Sequence, residues 1–322
     1  MINMKETIIR VIKPSVEYLK EVDRVSHVAK CARVCFGKET GDDNRTFDNL
    51  YKAKHYCMFR HASVYAIIDG CDSLDFLDEF INCPYIDYAM DSNHKVYIAT
   101  NMNFTIDMNA YNNEIPRYAY LIKLIKTNQV TPEEFANTET GFGMMRYTFI
   151  VDTSIAVSRE LNRVSPNAIV ERSTRYCTAN AICEPYWFSI NGKNNYDVKL
   201  DKADLFYKDT DADDNEFVEE CEITARLRDG RGITDVHGYF SGIISSFMFY
   251  NELIDKGMLK EEARDLLPLA TYTRCVYTYS IKEWRRIIDN RYFNKTGRAH
   301  PDARNIVGKI KATLEDLGYE FM

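Results

Sequence analysis

Four arginines and two glutamates crowd the segment SRELNRVSPNAIVERSTRYC, residues 158–177, beside hydroxyl side chains. Arg159, Arg163, Arg172 and Arg175 stand near Glu160, Glu171 and Ser173. Guanidinium groups present planar donors that match phosphate oxygens or a carbonyl edge, and a serine hydroxyl or backbone N–H completes such a cradle. The segment therefore reads as an anion site. The competing reading is surface ion pairing, the common fate of a single arginine cluster.

Other side chains with chemical potential are fewer. His55 and His61 bracket HYCMFRH; a histidine pair can move protons near neutral pH, whereas a lone histidine is more often structural. Metal binding needs a third ligand, and none is legible. Asp209, Asp211, Asp213 and Glu220 fall at positions one, three, five and twelve of a calcium loop, but Asp214 occupies position six, where the turn requires glycine. No metal is expected. Nine cysteines without a CxxC pair favour reduced thiols over a disulfide framework or a structural zinc.

The elements that must position these residues follow from periodicity. MMRYTFIVDTSI is apolar and β-prone and passes directly into the helical AVSRELNRV, with Thr153 or Ser154 as cap, so a strand feeding a helix carries the arginine segment. ETIIRVIKPSV predicts an opening strand, and Val25, Val28, Ala29 and Ala32 a helix after it. Between 72 and 140, short helical stretches (SLDFLDEFI, RYAYLIKLIK) mix with the strand-like VYIAT. Residues 190–222 are polar and acidic and read as a surface loop or insertion. Phe240, Ile243, Ile244, Phe247, Tyr250 and Ile254 have helical spacing closed by Gly257, and KEEARDLL predicts a second helix ending at Pro268. From Tyr272 to Leu317 the chain reads as mostly helical. The class is α/β.

Composition sets the outer limits. With 322 residues, 45% hydrophobic and 28% charged, the chain is an ordinary globular one. Its net charge of −7 argues against a nucleic-acid-binding module, which accumulates Lys and Arg against the phosphate backbone. No apolar run is long enough to cross a bilayer and MINMKETIIRVIK has no signal-peptide core, so the expected location is the cytoplasm.

Segment 158–177 resembles the signature of the flavin-dependent thymidylate synthase (ThyX) family. That signature is an Arg-His-Arg triplet, seven residues and Ser, preceded by Arg-Glu or Arg-Gln on a helix and followed by Arg-Tyr; Arg163, Ser173 and Arg175-Tyr176 take the corresponding places. EEARDLLPLATYTRCVYTYS resembles the family's Ala-Arg, Leu-Pro-Leu, Tyr-Thr-Arg block, and RIIDNRYF with AHPDAR resembles its nucleotide-activating arginine and the helix after it. Near the N-terminus, CARVCF and HYCMFRH are similar to Ala-Arg-Val-Ser and His-x-Thr-Pro-Phe-x-His. The resemblance implies a ThyX-like fold, helices on a modest central sheet, forming a single domain over 1–322 with insertions at about 72–140 and 190–222.

It also implies roles. Glu160, Glu171, Ser173, Arg175, Arg264 and Arg291 correspond to the residues that hold dUMP, with Arg291 and Ser173 the catalytic candidates. An arginine facing the pyrimidine carbonyl stabilises charge that develops as C5 becomes nucleophilic, and Arg291 takes that place. The implied reaction moves a one-carbon unit from methylenetetrahydrofolate to C5 of dUMP, with reduced FAD as electron source and NADPH as its reductant, in a homotetramer whose sites lie between subunits.

The flavin side departs from the pattern. Val164 and Ser165 replace the His and second Arg of the triplet, Cys57 and Arg60 the Thr and Glu of the N-terminal block, Cys35 a Ser, and Ser280 and Lys282 a later Asn and Arg. Each cofactor oxygen left unpaired in a buried site costs about 1–3 kcal/mol. The flavin-side candidates are Arg163, His55 and Ser165, with Lys282 and Arg286 as compensating cations. Two alternatives follow: a pyrimidine nucleotide hydroxymethylase or methylase with altered flavin use, or an inert nucleotide-binding homologue.

Overall fold

Pro14 divides the opening β-prone run. The single strand expected there is two, Ile9–Ile12 and Ser15–Tyr18, which join different sheets; proline cannot donate to a ladder, so the chain changes sheet at it. The computed structural model describes residues 9–69, 83, 85–110, 116–163, 168–190, 195–201, 204–209, 223–225 and 236–322. Its strands are β1 (Ile9–Ile12), β2 (Ser15–Tyr18), β3 (Ser63–Ile68), β4 (Asp87–Met90), β5 (Val96–Asn101), β6 (Gln129–Val130), β7 (Arg146–Ser154), β8 (Ile169–Glu171), β9 (Ala181–Cys183), β10 (Phe188–Ile190), β11 (Asn195–Asp201), β12 (Asp204–Asp209), β13 (Ile223–Ala225) and β14 (Tyr272–Ser280). The α/β class holds, but the strands fall into β2-β7-β14-β8, β12-β11-β1-β9, β4-β5-β3-β6 and the pair β10-β13 rather than one sheet.

The sheet β2-β7-β14-β8 carries the site. All nine residues of β14 pair with β7, from Tyr272 opposite Ser154 to Ser280 opposite Arg146. The mostly helical reading of 272–317 holds from Ile281, with helices Ile281–Arg291 and Pro301–Asp316, but its first nine residues are this strand. A strand buried on both faces loses the polar–apolar alternation that identifies strands. Cys275, Tyr277 and Tyr279 pack with Trp284, Ile287 and Ile288 of helix Ile281–Arg291 and with helix Pro301–Asp316. Val276 packs the other way, against Cys31 and Val34 of helix Arg24–Cys35. Trp284, fully buried, donates its indole N–H to the Tyr147 carbonyl at 3.1 Å, so its polar atom is not stranded.

Residues 190–222 also differ from expectation in their described part. β11 and β12 form an antiparallel hairpin that extends β1, with Ile9 opposite Val198, because NYDVKLD and DLFYKD alternate at strand period despite their acidity. The calcium-loop positions after Asp209 lie outside the described residues, as does SLDFLDEFI. VYIAT is in β5, which pairs with β3, and helix Pro116–Thr127 contains YAYLIKLIK. The Phe240–Ile254 pattern lies in helix Val236–Asp255, followed by Gly257 at φ +95. KEEARDLL is shorter than predicted: helix Lys260–Ala263 tightens into a 3₁₀ turn, Arg264–Leu266. No helix among the described residues is long and apolar enough to cross a membrane.

A buried polar chain crosses the central sheet. Thr148 and Thr278 are opposite one another on β7 and β14 with hydroxyls 2.7 Å apart; His27 Nε2 lies 3.0 Å from the first and His61 Nδ1 2.8 Å from the second. The outer ring atoms, His27 Nδ1 and His61 Nε2, have no partner among the described residues. Burial lowers His27 to about 4 and His61 to about 3. Unfolded histidines titrate near 6.5, so below that pH the unfolded chain takes up protons that the folded one refuses. Stability is therefore full above about pH 6.5 and falls progressively toward pH 4 and then 3. In urea titrations across this range, the His27→Gln/His61→Gln variant is expected to show a shallower acid limb than the parent; parallel limbs would contradict the assignment.

Candidate functional site

β7 runs into helix Ile155–Leu161 through Ser154, whose side chain caps the helix by accepting from Val157 N. The strand-then-helix reading and the Ser154 alternative for its cap are both realised. This helix carries Ser158, Arg159 and Glu160, with Arg163 just beyond its end. Ser280 and Glu283 form a capping box that starts helix Ile281–Arg291, and its last residue, Arg291, reaches back to the first helix.

Arg291 Nε donates to the Glu160 carbonyl at 3.3 Å and lies 3.1 Å from Glu160 Oε2. The arginine side chain is 16% exposed, and its two terminal nitrogens make no hydrogen bond among the described residues. On the other side of Glu160, Arg163 Nη2 stands 3.9 Å from Oε1 and is largely solvated, a contact that adds little stability. Glu160 thus sits between two guanidiniums. The Ser158 hydroxyl donates to Glu171 Oε1 at 3.0 Å and ties β8 to the same helix.

From Glu171 the chain turns toward a second group. Arg172 N donates to the Arg274 carbonyl at 2.9 Å and Ser173 N to the Cys35 carbonyl at 2.9 Å, while Ser173 Oγ accepts from Arg175 N at 3.2 Å. The turn is tight: Gly37 at φ +63 faces Cys177 and Arg172, and a Cβ there would lie 3.2 Å from Cys177 Sγ. Arg175 places Nε and Nη2 each 2.7 Å from Glu261 Oε2, and Lys260 Nζ donates to the Tyr176 carbonyl at 3.3 Å. The segment carrying Arg264, exposed at its 3₁₀ turn, is docked beside Arg175 in this way.

The predicted nucleotide residues therefore fall in two connected groups, Glu160 with Arg291 and Ser173 with Arg175 and Arg264. The flavin-side candidates do not converge. His55, Lys282 and Arg286 are exposed and no hydrogen bond or ion pair among the described residues joins them to either group; Ser165 lies outside the described residues. Only Arg163 belongs to the cluster. His55 and His61 do not act as a pair, since His61 is wholly buried against Thr278.

Sequence reasoning missed the support beneath the site. Arg274 makes a two-pronged pair with Asp152, Nε to Oδ1 at 2.9 Å and Nη2 to Oδ2 at 3.1 Å, and its Nη1 reaches Glu39 at 3.1 Å. Tyr272 OH donates to Asp152 Oδ1 at 2.6 Å and Ser15 Oγ to Oδ2 at 2.8 Å. The Arg172 guanidinium lies 5.7 Å from the Tyr272 ring centre. The only prior signal was Arg274 within the Tyr-Thr-Arg block; nothing local pointed to its partner.

The cavity beside Arg172, Ser173 and Tyr272 measures about 10 Å³, room for one water. That cavity is too small for a nucleotide, and Arg175 and Arg264 beside it face solvent.

A family model described as thymidylate synthase complementing protein (Thy1) matches residues 86–317. Over 65 residues the chain is 38% identical to a protein of Paramecium bursaria Chlorella virus 1 named as a probable flavin-dependent thymidylate synthase; the match spans 20% of this chain and 30% of that relative's length. Two solved structures of a UMP/dUMP methylase, PolB from Streptomyces cacaoi, also resemble it. The 5-Br UMP complex is 16% identical, covering 95% of this chain and 90% of that one at a TM-score of 0.40. The 5-Br dUMP complex is 15% identical over 95% and 91% at 0.41.

Proposed function

Because this chain belongs to the thymidylate synthase complementing protein family, we propose that it methylates a pyrimidine nucleotide at C5, with dUMP as the first substrate to consider and methylenetetrahydrofolate as the one-carbon donor. The observation that carries this reading is the Arg291–Glu160 pair. Two family elements, far apart in sequence, meet through one nitrogen of the guanidinium, and the terminal nitrogens are left to meet a ligand. Held by Glu160, Arg291 is pre-aimed at the base, where its charge stabilises the negative charge that develops as C5 attacks the donor's methylene carbon. Arg175 and Arg264 take the phosphate dianion, Ser173 and its turn supply neutral donors, and Glu171 fixes the helix that presents Glu160.

Arg175 and Arg264 face solvent and the cavity beside Ser173 is too small for a nucleotide, which supports a site completed by another copy of the chain. A homotetramer with shared sites is accordingly part of the proposal, as are a single domain over 1–322 and a cytoplasmic location.

Turning the transferred methylene into a methyl requires a hydride, which reduced FAD supplies in this family, with NADPH as reductant. The described residues of one chain do not assemble a flavin cradle: His55, Lys282 and Arg286 lie on the surface and Val164 replaces a cationic donor of the triplet. The replacement of signature residues of the triplet by Val164 and Ser165 favours a second reading, in which the nucleotide site is kept and C5 is hydroxymethylated, water adding to the methylene in place of hydride.

Mass spectrometry of dUMP incubated with the protein, methylenetetrahydrofolate and NADPH, with and without FAD, tests both. The expected product is dTMP formed only with FAD. A hydroxymethyl product without FAD would select the second reading. Unchanged dUMP together with tight dUMP binding would replace both with an inert nucleotide-binding homologue.

A further inference from the structure

A cavity of about 650 Å³ opens between helix Pro301–Asp316 and the segment that follows Arg291. None of the proposed nucleotide-site residues lines it. Arg298, Arg304 and Lys309 do, together with Tyr186, Tyr292 and Asn305, and no aspartate or glutamate is among the described lining residues. In a chain of net charge −7, a concave surface lined by three cations, with the Asp302 carboxylate held at its rim by Tyr186 N, is a local concentration of positive charge that attracts an anion. Its volume matches sites for small molecules of nucleotide size.

The walls are held in place. The Arg304 guanidinium lies 5.5 Å from the Tyr292 ring centre, and Lys309 Nζ donates to the Pro14 carbonyl at 2.7 Å, which fixes the ammonium against the wall. Gly308, inside the helix, also lines the cavity; a Cβ there would stand 3.1 Å from Tyr292 Cε2, so glycine is what lets the ring seat against the helix. Glycine within a helix costs roughly 0.5–1 kcal/mol relative to alanine. At the rim, Tyr186 is 51% exposed while its backbone N–H is anchored to Asp302 at 2.6 Å. It offers an aromatic face beside the cations.

We propose that this cavity binds a nucleoside monophosphate, with Arg298, Arg304 and Lys309 taking the phosphate and Tyr186 stacking on the base, at a site separate from the Arg291 group. Guanidiniums suit the phosphate because they donate in parallel pairs, and aromatic stacking accepts any base. The inference goes beyond the proposed methylation and does not rest on it.

Titration calorimetry of the full chain with 5′-AMP tests the site, the purine setting this probe apart from the pyrimidine nucleotide proposed for Arg291. One AMP per chain is expected, with adenosine and inorganic phosphate each binding at least about tenfold more weakly, since each lacks one half of the recognition. Arg298→Ala/Arg304→Ala is expected to weaken AMP by about tenfold or more, and Arg291→Ala to leave it unchanged. Asn305→Asp, which puts a carboxylate on the exposed wall, provides a second variant should the double one fail to fold, and is expected to weaken AMP similarly. The proposal is overturned if the parent does not bind AMP, if the folded cavity variants bind it normally, if Arg291→Ala abolishes binding, or if adenosine or phosphate alone binds as well as AMP.

Discussion

Replacing Arg291 by alanine is expected to lower kcat/KM for nucleotide methylation by about 10²–10³-fold, the usual loss when a preorganised donor facing developing charge is removed. The same factor is expected in kcat, because the stabilised charge exists only in the transition state. Stability should change little. The arginine's partner Glu160 keeps Arg163 beside it, and a partly exposed ion pair contributes at most about 1 kcal/mol. Arg291→Lys keeps the charge but loses the planar fork, so it should restore only part of the rate. Steady-state and single-turnover kinetics with dUMP, beside a thermal melt, check the claim; activity within a few fold of the parent in a folded Arg291→Ala protein would remove Arg291 from the chemistry.

Asp152→Ala is expected to cost about 3–5 kcal/mol of folding stability, the range for removing one partner of a buried pair. Ser15, Asp152 and Arg274 lie side by side on β2, β7 and β14, so the carboxylate joins three strands. It is 7% exposed and accepts from Arg274 twice, from Tyr272 and from Ser15. Burial, with Asp152 alongside, pushes the Tyr272 phenol up, which keeps it a donor. Without Asp152 the Arg274 guanidinium retains, among the described residues, Glu39 as its carboxylate partner, and that residue is largely exposed. The loss also reaches the site, because the Arg274 carbonyl receives Arg172 N at the start of the Ser173 turn. Urea denaturation measures the cost. Asp152→Ala/Arg274→Met should recover part of it by removing the uncompensated charge, and a single variant within about 1 kcal/mol of the parent would show that the network carries little.

These expectations rest on residues of unequal legibility. Helix Arg24–Cys35, helix Ile155–Leu161 with its Ser154 cap, and the Phe240–Ile254 pattern were readable because periodicity and capping are local properties. β14 was not, since a strand with both faces buried carries no alternation to read. The hairpin β11–β12 hid within an acidic stretch for a different reason: composition outweighed period there.

The types and order of the residues proposed for the nucleotide were legible, as was the replacement of two signature residues of the flavin triplet by Val164 and Ser165. Which of them meet was not. Arg291 with Glu160, Arg175 with Glu261, and Asp152 with Ser15, Tyr272 and Arg274 are contacts between distant segments. His55 and His61 look equivalent as a spaced pair, yet one is exposed and the other wholly buried against Thr278. The inventory of charged groups and the local elements that carry them can be read along the chain, because they follow from neighbouring residues. Tertiary structure decided which charges are paired, which imidazole is kept neutral and which guanidinium nitrogens face outward, because partners and burial are set by the packing of segments that sequence holds far apart.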